Sequence, residues 1–160
     1  MKSFNDTFER IKIAISEKRE DVYAVAIFTF VFILMCILTW GKMGDPIVDC
    51  GREAYVPMAM LKGKILIKDI FVFFTPNPLS YQINAIAYKL FGINLSVLYM
   101  LGIVSSYLIL VASYLVSRIL LKPLASFSII FCVMSFGVFQ PFLSNYIFPY
   151  SYAYLYSALG

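Results

Sequence analysis

Beyond residue 21, every acidic residue of this 160-residue chain lies in the single stretch from residue 41 to residue 94. These acids are Asp45, Asp49, Glu53 and Asp69. Asp49 and Glu53 are spaced to share one face of a helix with Arg52. Arg52 can offer paired N–H donors to a phosphate, and its charge keeps Asp49 ionised and able to accept a proton. These residue types therefore suit a site that handles a phosphate and a hydroxyl together.

The same residues also have a structural interpretation, which the sequence leaves open. Asp49 can be the N-cap of a helix, and Arg52 with Glu53 can form a solvated helix face at a lipid boundary. Asp45 lies in a turn-like Gly-Asp-Pro, and Asp69 can equally be a turn acid. The functional interpretation therefore depends on how this stretch is built and on what surrounds it.

The surrounding sequence is too apolar for a soluble domain of this length. Hydrophobic residues make up 61% of the chain and charged residues 14%, which indicates an integral membrane protein with the lipid bilayer as its main partner. Uncharged runs long enough to cross a bilayer occur at 22–40, 95–116 and 124–142. Residues 143–160 form an outer turn and the start of a fourth transmembrane helix.

The basic residues indicate an orientation. Arg118 and Lys122 lie in the short loop 117–123 without an acid, so we expect this loop to face the cytoplasm. The charged segment 1–21 then forms an amphipathic helix on the same, cytoplasmic surface. We expect the membrane to be the cell's inner (plasma) membrane. Five basic residues in the first part of the stretch 41–94 oppose this assignment: Lys42, Arg52, Lys62, Lys64 and Lys68. A net charge of +4 without an aromatic-interleaved basic stripe does not indicate nucleic acid.

The stretch 41–94 is an outer loop far longer than a connection between two helices requires. It contains two predicted juxtamembrane helices, one at about 49–62 and one at about 78–91. Pro57 predicts a kink or a break in the first of them, near Glu53. The predicted fold class is thus an all-α membrane protein of three transmembrane helices plus a partial fourth, with two juxtamembrane helices in the first outer loop.

Other chemistries have little support. The chain has no histidine, which excludes Ser-His-Asp and Cys-His arrangements and any histidine metal site. Cys36 and Cys132 lie in apolar runs and Cys50 stands alone in the loop, so we interpret all three cysteines as structural.

The order of short motifs along the chain carries a family resemblance. The motifs are DCGREAY at 49–55, LKG at 61–63, KDIF at 68–71 and PNPLSY at 76–81. Their order after one transmembrane helix resembles the amino-terminal part of the GT-C membrane glycosyltransferases, which include the protein mannosyltransferases and the aminoarabinose transferase of lipid A.

The resemblance implies a function and a site. It implies transfer of a sugar from a polyprenyl-phosphate donor to an acceptor hydroxyl on the outer face of the membrane, the acceptor being unspecified. Asp49 matches the family's loop aspartate and is the implied base. Arg52, Glu53 and Asp69 are the implied substrate-binding and phosphate-binding residues. Many members have Asp-Glu where this chain has Asp49-Cys50, so the chain departs from a paired-carboxylate metal site. The implied reaction requires no cofactor, and a divalent metal is left open.

The resemblance covers only the first third or so of such an enzyme. We therefore expect an amino-terminal fragment, inactive by itself. The alternative is a non-catalytic small membrane subunit or a transporter fragment. Ser105, Ser106, Ser113 and Gly137 are the polar or small residues that a transporter could use, although helix packing explains them equally.

Overall fold

A computed structural model describes residues 2–42, 51–66, 68–70, 78–140, 145–149 and 151–159, with side chains from Lys18 onward. Two of the acids singled out above, Asp45 and Asp49, lie outside the described residues, as do Cys50 and Asn77. Every statement below concerns the described part of the chain.

Within these residues the regular secondary structure is helical, as predicted, and the one β feature is an isolated bridge between Leu66 and Ile70. The helices are α1 (Lys2–Thr39), α2 (Gly51–Leu61), α3 (Pro78–Phe91), α4 (Leu95–Leu120), α5 (Pro123–Val133), which continues as π-helix over Met134–Val138, and α6 (Tyr152–Ser157).

Two of these helices are long and apolar enough to cross a membrane, judged by length and composition. They are residues Lys18–Thr39 of α1 and the whole of α4, with 22 and 26 residues. The third run expected to cross, at 124–142, is a shorter apolar helix at Pro123–Val138. The count of three transmembrane helices and a partial fourth therefore stays a prediction.

The helix boundaries differ from expectation at several points. α1 continues from the charged segment into the apolar run without a break at residue 21. α4 extends past the predicted end at Val116, so that only Leu121 and Lys122 separate it from α5. Helix α2 runs through Pro57, so the predicted break does not occur.

α1 and α4 run antiparallel. Near one end of the pair, Arg118 Nε of α4 lies 2.7 Å from Asp21 Oδ1 of α1. Near the other end, the rings of Trp40 and Tyr99 have centroids 5.7 Å apart. Helix α5 packs against both helices and returns the chain toward the Trp40 end.

The apolar core lies between α1, α4, α5 and the segment 145–149. Phe28 and Phe32 of α1 pack against Tyr107, with ring centroids at 6.3 and 5.5 Å, and Phe148 stacks on Tyr99 at 4.9 Å. The close approach of segment 145–149 to α4 requires a glycine, because a Cβ on Gly102 would lie 1.9 Å from the carbonyl oxygen of Ile147. This packing brings α6 to the Trp40 end, beside α2 and α3.

Candidate functional site

Two of the predicted site residues, Arg52 and Glu53, lie side by side in the first turn of α2. Arg52 Nη2 and Glu53 Oε1 are 3.4 Å apart, and the Arg52 side chain is partly exposed while that of Glu53 has no exposed surface. The interpretation of both residues as a solvated helix face is therefore wrong for Glu53. A fully buried carboxylate also has no surface for contact with a substrate, so we assign Glu53 a positioning role.

Glu53 is held by donors from two parts of the chain. Its Oε2 accepts a hydrogen bond of 3.3 Å from the backbone N–H of Tyr152, at the start of α6. Arg52 donates to Oε1, and the Tyr81 hydroxyl of α3 lies close enough to lower the pKa of the carboxyl. Burial nevertheless raises the pKa of the Glu53 carboxyl, because Tyr152, the charge of Arg52 and Tyr81 offset only part of its effect.

The carboxylate acts as a cap supplied from another helix. The first turn of a helix leaves backbone N–H groups without partners inside the helix. Ser151 satisfies the N–H of Ala153 in α6, and Glu53 satisfies that of Tyr152. Glu53 therefore fixes the place where α6 begins on α2.

Further polar contacts extend from Glu53 across the helices. The hydroxyl of Tyr156 donates to Asn84 Oδ1 at 2.6 Å, which joins α6 to α3. The hydroxyl of Tyr152 donates to the carbonyl oxygen of Leu98 at 2.6 Å, which joins α6 to α4. We call the set Glu53, Tyr81, Asn84, Tyr152 and Tyr156 the outer polar cluster.

One donor of the outer polar cluster has no protein partner among the described residues. Asn84 is fully buried, and while its Oδ1 is bonded to Tyr156, its Nδ2 makes no hydrogen bond. A buried amide donor without a partner costs about 1–3 kcal/mol, and an ordered water is its simplest partner.

Asn84, Tyr152 and Tyr156 were not predicted from the sequence, and α3 shows why. Leu79, Ile86 and Leu90 form an apolar stripe along α3 that is exposed, whereas Tyr81 and Asn84 are buried. In water an apolar stripe marks the buried face. Against lipid the stripe can face outward and the polar side chains inward. A search for polar residues opposite the stripe would have found Asn84.

Asp69 has a local structural use. Its Oδ2 accepts a hydrogen bond of 2.8 Å from Ile65 N, and its own N–H donates to Ile65 O at 2.8 Å. The next residue, Ile70, is buried against Val56 and Ala59 of α2. Asp69 thus closes a turn that packs on α2, which is the turn-acid alternative left open above.

A second polar cluster lies at the opposite end of the α1 and α4 pair. Asp21 Oδ1 accepts hydrogen bonds from the Tyr114 hydroxyl at 2.6 Å and from Arg118 Nε at 2.7 Å. Arg118 Nη2 lies 3.3 Å from Asp21 Oδ2, so the pair is bidentate. Arg118, a basic residue that indicates the orientation of the chain, thus also links α4 to α1 at this end.

No metal centre emerges from the described residues. Among them, no group of three or more His, Cys, Asp or Glu side chains could hold a metal ion. Comparison of the chain with protein families, with characterised proteins and with solved structures finds no match. The site must therefore be interpreted from its own residues.

Proposed function

We propose that this chain is a multi-pass integral membrane protein, the amino-terminal part of a glycosyltransferase of the GT-C kind. Its amino terminus faces the cytoplasm, and α2 and α3 lie on the outer face of the plasma membrane. The enzyme transfers a sugar from a polyprenyl-phosphate donor to an acceptor hydroxyl.

One observation supports this proposal above the others. The long stretch between α1 and α4 contains two helices that are both bonded to α6, α2 through the buried carboxylate of Glu53 and α3 through Asn84. A segment that only connected two helices would need no buried anchor of this kind. The anchor gives α2 a fixed position, which a site at its amino-terminal end requires.

In the proposed reaction, the acceptor oxygen attacks the anomeric carbon of the donor sugar. Asp49 takes the proton of that hydroxyl as the new carbon–oxygen bond forms. The bond between the anomeric carbon and the polyprenyl phosphate breaks, and the phosphate leaves with the electron pair. Arg52 stabilises the departing phosphate, and Glu53 holds the Arg52 guanidinium in place. A single displacement inverts the anomeric configuration.

The test compares two neighbouring aspartates in membranes that contain the full reading frame encoding this chain. Asp49→Asn is expected to reduce transfer of labelled sugar from a polyprenyl-phosphate donor by at least about 100-fold, because the base is lost. The matched control Asp45→Asn removes the same charge four residues away and is expected to keep transfer near wild type. Equal activity of Asp49→Asn and wild type, at equal expression, contradicts the assignment of Asp49.

Arg52 separates a phosphate contact from a general effect on folding. Arg52→Lys keeps the charge and loses the paired donors, so we expect transfer between that of wild type and that of Arg52→Ala. If both Arg52 variants transfer sugar as wild type does, Arg52 has no part in the reaction.

A second candidate, a non-catalytic membrane subunit, has its own supporting observation. Both described acids of the stretch 41–94 serve the fold: Glu53 caps α6, and Asp69 closes a turn. A packing platform without chemistry needs no more than this. Absence of transfer with every donor tested, from wild-type protein that is correctly inserted, favours this candidate over the transferase.

A further inference from the structure

An open groove of about 640 Å³ lies between α1 and α4 at the end that carries Asp21 and Arg118. Its apolar lining comes from Val22, Val25 and Ala26 of α1 and from Val111 and Leu115 of α4. On each helix these residues follow spacings of three and four, which place them on one face. The groove is thus formed by two facing helix surfaces and is wide enough for part of a lipid chain.

The rim of the groove is charged. Lys18, Asp21 and Arg118 line it, and Lys18 is exposed. The carboxylate of Asp21 is already engaged by Arg118 Nε at 2.7 Å and by the Tyr114 hydroxyl at 2.6 Å. The one negative charge of the rim is therefore compensated within the rim, which leaves a net positive charge.

The neighbouring residues reinforce this charge. Arg19 follows Lys18 on α1, and Lys122 lies just beyond α4. The side chains described at this end therefore include four basic residues and two acids. The basic residues are Lys18, Arg19, Arg118 and Lys122, and the acids are Glu20 and Asp21. An anionic group at the rim is therefore favoured by several cations within a Debye length.

A second groove provides an internal contrast. It is about 390 Å³ in volume and is lined by Phe91, Val97, Met100 and other uncharged side chains of α3 and α4. Without a charged rim it offers nothing that distinguishes one lipid headgroup from another. The groove between α1 and α4 differs from this second groove in having Lys18, Asp21 and Arg118 in its lining.

We propose that the groove between α1 and α4 binds an anionic phospholipid, with one acyl chain along Val22, Val25 and Leu115 and the headgroup phosphate beside Lys18 and Arg118. Basic pockets between transmembrane helices on the cytoplasmic side are a known kind of site for anionic headgroups. The inference rests on the membrane placement and orientation proposed above, and is independent of sugar transfer.

Fluorescence quenching by brominated lipids tests the inference, because the chain has one tryptophan. Trp40 lies at the opposite end of α1 from the groove, against Tyr99. The reporter is Val22→Trp in a Trp40→Phe background, since Val22 lines the groove and is 62% exposed. The protein is reconstituted in phosphatidylcholine vesicles that contain a fixed fraction of either brominated phosphatidylglycerol or brominated phosphatidylcholine.

The groove tryptophan is expected to be quenched more strongly by brominated phosphatidylglycerol, with a relative affinity several times that for phosphatidylcholine. Lys18→Gln in the same background is expected to lower the ratio of the two affinities roughly fivefold, or to unity. The reason is that one lysine near an anionic headgroup contributes about 1 kcal/mol, which corresponds to about fivefold in affinity. Lys89→Gln, a matched loss of charge at the exposed end of α3, leaves the ratio unchanged.

The outcomes separate this inference from the membrane placement. Equal quenching of the groove tryptophan by both lipids, with Trp40 of the wild type also quenched, overturns the lipid site and leaves the membrane placement standing. A lipid preference that persists in Lys18→Gln overturns the assignment of the rim. If neither tryptophan is quenched by either lipid, the membrane placement and the lipid site both fail.

Discussion

Replacing Glu53 tests whether one buried carboxylate holds α2 and α6 together. Glu53→Ala removes the acceptor of the bonds from Tyr152 N and from the Arg52 guanidinium. Loss of a helix cap costs about 1 kcal/mol, and truncation of a large buried side chain to alanine costs about 2–5 kcal/mol. Arg52 is partly exposed and can turn to water, so its loss adds little.

We therefore expect Glu53→Ala to lower the free energy of unfolding by about 3 kcal/mol, at the lower end of the range for breaking a buried ion pair. The long contacts of 3.3 and 3.4 Å argue against a larger value. The assay is unfolding by titration with a denaturing detergent, followed by circular dichroism and by the fluorescence of Trp40. Glu20→Gln, at an exposed glutamate of α1, is the matched control and is expected to stay near wild type.

The pH dependence of stability gives the same experiment a second readout. Because the pKa of Glu53 is raised in the folded protein, the fold binds this proton more tightly than the unfolded chain does. Its contribution to stability is thus fully present below the ordinary glutamate pKa and is lost as pH rises through the folded pKa. In Glu53→Gln this loss should vanish, so stability should fall less with rising pH than in wild type. Identical pH profiles, together with a cost below about 1 kcal/mol for Glu53→Ala, would refute the reasoning.

Two further changes probe the packing around this cluster. Gly102→Ala should lower the free energy of unfolding by about 2–3 kcal/mol, because its Cβ would clash with the carbonyl oxygen of Ile147. Gly137→Ala is the control and should cost less in the same detergent titration, because its Cβ would meet only a side-chain atom, at 3.2 Å. Tyr156→Phe should cost about 1–2 kcal/mol by removing the 2.6 Å bond to Asn84 Oδ1, and a cost near zero would mean that α6 is not held through this bond.

The features that depend on nearby residues could be predicted from the sequence. The uncharged runs predict the two longest apolar helices. Pro78 at the first helical position and Gly92 just beyond the end predict α3 with the observed bounds, Pro78–Phe91. The predicted end of α4, at Val116, comes four residues before the observed end at Leu120, because the charge of Arg118 favours a loop. Its side chain instead reaches Asp21 from within the helix.

The candidate site was less predictable, because its contacts join residues far apart in the chain. Glu53 and Tyr152 are 99 residues apart, and no spacing rule links them. The sequence suggested an exposed, functional Glu53, since glutamate is rarely buried without a partner. Besides the adjacent Arg52, the partner of Glu53 is the backbone N–H of Tyr152, and a backbone donor leaves no mark on the sequence.

The two polar clusters account for how an apolar chain fixes its helices against one another. Apolar contacts alone allow helices to slide or rotate when lipid surrounds them, because lipid is as apolar as the side chains. Asp21 with Arg118 sets the register of α1 against α4 at one end, and Glu53 sets that of α2 against α6 at the other. A different register would separate Asp21 from Arg118 at one end and the Tyr152 N–H from Glu53 at the other. Polar contacts, among them the bond between Thr29 and Tyr107 in the middle of the α1 and α4 pair, thus add specificity to the apolar packing, and the groove proposed to hold an anionic lipid lies beside one of them.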